Sequence, residues 1–280
     1  MRTRLCLIAK VVWGGAIAIA VIGIVALPAS AQQNPAASLT AAAPSPASVL
    51  PGGLQVAITP YLWLPGLDMT ITTPLQRASE IDISAGAAEL LGDLSGIPVP
   101  ATVEIRAGPL SILGDIFHIP LGVGVTTRNI FFNGGTSSIT ENIGTAVFLY
   151  HAVEQPLQSI DAGAGFRSWG VSTVTTLNPG ILPGTSVTAS GGWTDPLIAA
   201  RYHRDFGNGF GLTAYGDLGG FDLNAHYDWQ IIGSLDYAWK PWVSLHLGYR
   251  SLNVTYQATN SPIGFNVHMK GPILAATFRF

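Results

Sequence analysis

Cysteine, charge and long apolar runs are all in short supply here, and each shortage closes off a class of protein. The one cysteine, Cys6, stands close to the start of the chain, so the remainder has no disulfide framework, no thiolate metal cluster and no cysteine for lipid attachment. Charged residues make up 10% of the sequence, well under the roughly 25% usual in soluble domains. Basic residues number 13 against 16 acidic, which removes the excess positive charge that a nucleic-acid partner requires. After Leu27 no apolar run is long enough for a membrane helix, because Gly, Ser and Thr interrupt every stretch. Yet mean hydropathy is +0.38. Apolar surface must therefore be covered by something other than a helical bundle.

What is present begins with MRTRLCLIAK, carrying Arg2, Arg4 and Lys10, followed by the 17-residue apolar run VVWGGAIAIAVIGIVAL and then Ala29-Ser30-Ala31. A basic segment, an apolar segment and a small-x-small site in that order read as a secretory signal peptide, residues 1–31, cleaved after Ala31. An uncleaved anchor is the alternative, since the run lies at the lower edge of what spans a bilayer. Cleavage leaves 10 basic residues against 16 acidic, a formal net charge of −6. Residues 32–53, QQNPAASLTAAAPSPASVLPGG, have the Ala, Pro and Ser composition of a periplasmic linker.

From Leu54 onward the pattern has period two. In LNAHYDWQIIGSLDY one face carries Asn224, His226, Asp228, Gln230, Ser234 and Asp236, and the other Ala225, Tyr227, Trp229, Ile231, Leu235 and Tyr237. Such alternation marks a half-buried strand, but this one runs over some fifteen residues, while soluble strands average five or six. Its aromatics gather toward both ends of the apolar face, as in a membrane barrel. The same reading puts Thr102, Glu104 and Arg106 on one wet face, and Ser159, Asp161 and Arg167 on another. Asp195, Arg201, His203 and Asp205 form a third, Thr213, Tyr215 and Asp217 a fourth, and Ser244, His246 and Arg250 a fifth. Two segments fit poorly. TAVFLYHAV is apolar on both faces, and NVHMKGPI invites a bulge at Gly271-Pro272 that resets the alternation.

Connections give an independent test, because outer-membrane barrels alternate short periplasmic turns with longer external loops. Long connections are expected at Pro74 to Pro98, with the helix-like SAGAAELLGDL, at Val125 to Ser138, at Thr173 to Gly192 and at Gln257 to Pro262, with a moderate one around Gly219-Gly220. Short ones fall at Gly108-Pro109, Glu154-Gln155-Pro156, Gly207-Asn208-Gly209 and Lys240-Pro241. Nine connections imply ten strands with both ends of the barrel in the periplasm. Eight or twelve stay open, since LPGLD reads equally as a turn that splits the first strand.

The chain closes on KGPILAATFRF, with Leu274, Ala276, Phe278 and Phe280 at alternate positions. This ending, with PYLWLPGLD and LGYRSLNVTY, resembles the small outer-membrane β-barrel proteins of Gram-negative bacteria, over residues 54–280. Pro272 departs from the pattern by taking the next outward position. The resemblance implies an all-β, antiparallel, up-and-down transmembrane barrel in the outer membrane. It also implies that Phe280 and the residues behind it form an assembly signal read by the barrel-insertion machinery. Membrane lipids, that machinery and periplasmic chaperones are the partners it implies.

The expected lumen gathers Glu104, Arg106, Asp115, Asp161, Arg167, Arg201, His203, Asp217, His226, Asp228, Asp236, His246 and Arg250. Paired across strands, these charges either fill a narrow bore or line a constriction that passes ions or small solutes. A rim enzyme, a lipid-modifying hydrolase or acyltransferase or a protease, is a third reading, resting on the pairs His226 with Asp228 and His203 with Asp205. An adhesin or receptor working through the loop Thr173 to Gly192 is a fourth. No cofactor is expected, and no metal-ligand motif of useful specificity stands among the histidines.

Overall fold

The structure, a computed structural model, describes residues 53–72, 80–125, 131–257 and 264–280. The expected leader and all but the last residue of the linker lie outside these, as do 73–79, 126–130 and the connection 258–263. The elements are β1 (Leu54–Trp63), β2 (Gly66–Thr72), β3 (Glu80–Ala85), α1 (Ala87–Gly92), β4 (Val99–Ala107), β5 (Leu110–Val125), β6 (Phe132–Gln155), β7 (Gln158–Pro179), β8 (Thr185–Gly207), β9 (Phe210–Gly220), β10 (Ala225–Lys240), β11 (Val243–Gln257) and β12 (Gly264–Arg279).

Each strand from β4 to β12 pairs antiparallel with its sequence neighbour, and β12 returns to pair with β1, which also pairs with β4. That closes a ring of ten strands. Two backbone bonds seal the seam, from the Phe280 N–H to the Val56 carbonyl at 2.8 Å and from the Val56 N–H to the Phe280 carbonyl at 3.3 Å. The apolar, strand-patterned terminus is thus paired to its last residue.

LPGLD does not turn the chain back. Trp63 lies opposite Ile273 and Gly66 opposite Lys270, so β1 and β2 run along β12 in one register with a break only at Leu64-Pro65. On its other side β2 pairs with β3, forming a small hairpin above the ring. The bulge expected at Gly271-Pro272 is absent: β11 and β12 pair without a shift from Val243 opposite Phe278 to Gln257 opposite Gly264. The irregularity sits across the seam instead. A Cβ on Gly271 would lie 2.0 Å from the Leu64 carbonyl oxygen, so only glycine lets the broken strand pass.

Side chains alternate as a barrel requires. Ile58, Leu62, Ile112, Ile116, Ile198, Ile231, Leu235, Leu247 and Leu274 are exposed on the outer face. Phe206, Phe210, Tyr237, Trp239, Trp242 and Phe280 ring the end where the short turns and both barrel termini lie, and Phe166, Tyr227 and Trp229 mark the opposite limit. From Trp229 to Trp239, at about 3.3 Å per residue and a tilt near 40°, the belt stands roughly 25 Å tall. Beyond it, outward side chains become polar and pair with one another: His118 with Asn142 at 2.7 Å, Ser168 with Thr194 at 2.7 Å, Ser251 with His268 at 2.8 Å.

The ring is lopsided. β6, β7 and β8 run 24, 22 and 23 residues against 9 for β4 and 11 for β9. The expected loop Thr173 to Gly192 is therefore mostly strand, with β7 reaching Pro179 and β8 starting at Thr185. Likewise the second half of Val125 to Ser138, from Phe132 on, lies in β6. Alternating Thr, Val and Ser in TVTTL and TSVTA have the β-branched propensity to continue a sheet. Together with β5 they raise a wall of roughly 30 Å above the belt, from the steps between Ser168 and Pro179.

The barrel lumen as the candidate functional site

Inward positions build three tiers. In the tier near the short turns, Arg201 on β8 reaches across the bore to Glu104 on β4 through two bonds of 2.7 Å, while its Nε donates to Asp161 on β7 at 2.7 Å. Arg106 meets His151 Nδ1 at 2.8 Å, and His151 in turn contacts Asp161. Beside them Asp236 accepts from Thr213 at 2.5 Å and Ser234 at 2.8 Å and pairs with His246 Nδ1 at 2.7 Å, and His246 Nε2 meets Thr277 at 2.8 Å.

The middle tier holds two arginines that no solvent reaches. Arg167 on β7 is 0% exposed and donates to Asp228 on β10 at 2.5 Å, to Asp217 on β9 at 2.7 Å and to Thr145 on β6 at 3.1 Å. Arg250 on β11 is 1% exposed and donates to Asp115 on β5 at 3.1 Å and to Tyr61 on β1 at 2.8 Å. Its guanidinium also lies 4.6 Å from the centre of the Trp63 ring, a cation–π contact. The carboxylates sit two to four places from their arginines around the ring, so the ion pairs bridge the bore.

Aromatic and aliphatic side chains cap them. Trp63, Phe117, Ile143, Trp169, Leu252, Val254, Val267 and Met269 pack as one buried cluster. Above it the rings of Trp169 and Trp193 stack at 5.7 Å, and Trp193 approaches Tyr256 at 4.8 Å. The two layers are joined by polar ties, since Trp169 Nε1 donates to Asp228 at 3.0 Å. Asp195, fully buried, accepts from Trp193 Nε1 at 2.8 Å and from the Ala225 N–H at 2.9 Å. A second apolar group, Val147, Leu149, Leu197, Ala199 and Tyr215, explains why TAVFLYHAV is apolar on both faces: one faces outward, the other packs inside.

Of the charged residues expected in the lumen, Glu104, Arg106, Asp115, Asp161, Arg167, Arg201, Asp217, Asp228, Asp236, His246 and Arg250 point inward and meet as described. His203 lies inward but half-open near the short turns, on Thr213 at 3.0 Å. His226 stands apart at the β9–β10 turn, at the end of the barrel opposite the short turns, exposed, bonded to Asp222 and not to Asp228. That bond, and a weaker one to Gln257, raise the His226 pKa above its ordinary value. Asp205 accepts from the Gly207 N–H at 2.6 Å and holds a turn, so neither of the two His-x-Asp pairs is a unit. His226 and the pair His203 and His246 lie at opposite ends of the barrel, and among the described residues no three His, Cys, Asp or Glu gather as metal ligands.

Sequence reasoning missed Tyr61, Trp63, Thr145, His151 and Trp169. The aromatic members carry no charge to betray a wet face, and alternation in β1 was the one available signal.

A closed ten-stranded antiparallel barrel, apolar outside and filled inside by bridging ion pairs, has the architecture of a transmembrane β-barrel. Comparison with solved structures finds the outer membrane protease OmpT of Escherichia coli at 8% identity and TM-score 0.48, over 85% of this chain and all of that one. The attachment invasion locus protein Ail of Yersinia pestis is matched at 9% identity and TM-score 0.30, over 81% and 98% of the two chains. The toluene transporter TodX of Pseudomonas putida is matched at 8% and 0.35, over 82% and 90%. No protein-family model and no curated protein matches the chain.

Proposed function

We propose that the mature chain is an outer-membrane barrel with a non-conducting lumen, whose working surface is the raised wall of β5 to β8. In this reading the leader is cleaved after Ala31, the barrel termini are periplasmic and the wall stands outside the cell. Leu274, Ala276, Phe278 and Phe280 serve the insertion machinery. The carrying observation is the middle tier: Arg167 and Arg250, at 0% and 1% exposure, tie non-adjacent strands together beneath a packed aromatic layer. Such a lumen strengthens the sheet and excludes ions, since separating its pairs would strand buried charge at a cost of several kcal/mol.

The test is single-channel recording in a planar bilayer with the chain from Gln32 to Phe280, after heat-modifiable gel mobility shows it refolded. Electrical silence is expected, and discrete steps would refute the sealed lumen. One observation favours a second reading, an intermittently open narrow channel. Gln230 Oε1 and Arg250 Nε are buried in the middle tier without a hydrogen-bond partner, and polar atoms of this kind suit internal water. Rare voltage-dependent steps would support that reading.

A further inference from the structure

The raised wall has two edges, and they are treated differently. At the β5 edge, beyond the start of β4, the chain before β4 folds over the strand. Ser95 donates its N–H to the Pro120 carbonyl at 3.1 Å, the Gly122 N–H reaches the Asp93 carbonyl at 2.6 Å, and Leu94 forms a bridge with Leu121. Pro120 also removes one donor from that edge. At the β8 edge, pairing with β9 begins only at Leu197 opposite Gly219. Residues 185–193 of β8 therefore pair with β7 alone, and among the described residues no strand or loop covers their other side. The first cover lies lower, where Asn224 Nδ2 donates to the Thr194 carbonyl at 2.7 Å.

Natural sheets protect such an edge with lysine, proline, a bulge or brevity. This one has none of them. Ser168 to Thr194 contains no Asp, Glu, Lys, Arg or His, residues 185–193 contain no proline, and the register with β7 runs unshifted from Thr185 to Arg204. Every second residue of TSVTASGGW presents an unpaired N–H and C=O sideways.

Geometry selects what can dock there. A second barrel side by side in the same membrane is blocked, because its own β8 continues downward into the space that β9 already fills. An oppositely oriented copy meets no such obstacle: its hairpin descends into the gap above the short β9–β10 turn while this hairpin enters the matching gap in the other. The two edges then run antiparallel about a two-fold axis, and with the axis at Ala189, the midpoint of the bare stretch, Thr188 faces Ser190. An uncharged strand pairs with itself without like-charge repulsion.

We propose that the bare edge of β8 is a homophilic docking site, joining two copies anchored in facing membranes. This rests on the reading that the wall is the working surface.

The experiment uses the refolded chain from Gln32 to Phe280 in two populations of phosphatidylcholine vesicles, labelled with a donor and an acceptor dye, and scores clustering by energy transfer. Wild type should cluster, and Ser186→Lys with Thr188→Lys should reduce clustering about tenfold or more. Thr136→Lys, on a wall strand paired on both sides, should leave it unchanged. Vesicles carrying Thr188→Lys should recover clustering when mixed with vesicles carrying Ser190→Asp, which a merely structural role for β8 would not produce. Absence of wild-type clustering, or clustering that survives the double lysine variant, overturns the proposal. So does saturable capture of a free TSVTASGGW peptide without clustering, which would replace the second copy by a foreign strand. Conductance in the same preparation bears only on the sealed lumen, so failure of either reading is seen separately.

Discussion

Replacing Arg167 by methionine keeps much of the side-chain volume at the centre of the lumen and removes its cation. The structure fixes the size of the effect. Arg167 is fully buried and holds two carboxylates, Asp228 at 2.5 Å and Asp217 at 2.7 Å, on strands that do not adjoin its own. Breaking a buried ion pair by deleting one partner costs about 3–5 kcal/mol, because the remaining charge is left desolvated. Here two are left, so Arg167→Met should lose at least that much. The triple variant Arg167→Met, Asp217→Asn, Asp228→Asn leaves no stranded charge and should recover most of the loss, since neutral replacements of buried pairs are often tolerated. Urea unfolding of protein refolded in lipid vesicles, followed by tryptophan fluorescence, gives the free energies. If Arg167→Met falls within about 1 kcal/mol of wild type, the pair behaves as a surface salt bridge does, and the argument for a charge-bridged, dry centre fails. A triple variant no more stable than the single would fail it equally.

Three further outcomes are expected. Deleting Phe280 removes both backbone bonds to Val56, so the fraction of membrane-inserted, heat-modifiable protein should fall in cells; normal insertion would argue against a terminal assembly signal. Gly163→Ala should cost about 1–3 kcal/mol, as overpacking does, because its Cβ would lie 1.8 Å from the Phe148 carbonyl oxygen, whereas Gly144→Ala meets nothing within 4 Å and should be silent; equal effects in urea unfolding would count against the β6–β7 packing. The His226 pKa is raised by Asp222, so the stabilisation of that rim turn is fully present below about pH 6.5 and lost as pH climbs through the raised folded value. Asp222→Asn should move the His226 titration midpoint downward by NMR, and an unmoved midpoint would dissociate the pair.

Period-two alternation made the inward and outward faces readable because a strand has only two sides, and the scarcity of charge made each Asp or Arg a strong marker. Glu104, Arg201 and Asp228 were legible on that ground. Their partners were not, because bridging a bore depends on strand stagger and not on spacing along one strand: nothing in the sequence says that Arg250 reaches Asp115 rather than Asp236. The aromatic layer was hidden for a different reason. Trp63 and Phe117 are as apolar as the outward residues on either side of them, so neither by itself marks the wet face of its strand. Pro and Gly misled in both directions, marking a bulge at Gly271-Pro272 that the register does not contain and a loop at Thr173 to Gly192 that β-branched residues carry as strand.

The uncharged hairpin has a consequence for how the folded protein meets a protease. Between Arg128 and Arg201 the only basic residue is Arg167, and its guanidinium is locked in the lumen. A trypsin-like protease attacking the folded protein thus finds no accessible lysine or arginine to grip along β6, β7 or the rising part of β8. The wall is an exposed structure that basic-specific digestion passes over, leaving one long uncut fragment where a surface loop of ordinary composition would be shaved away.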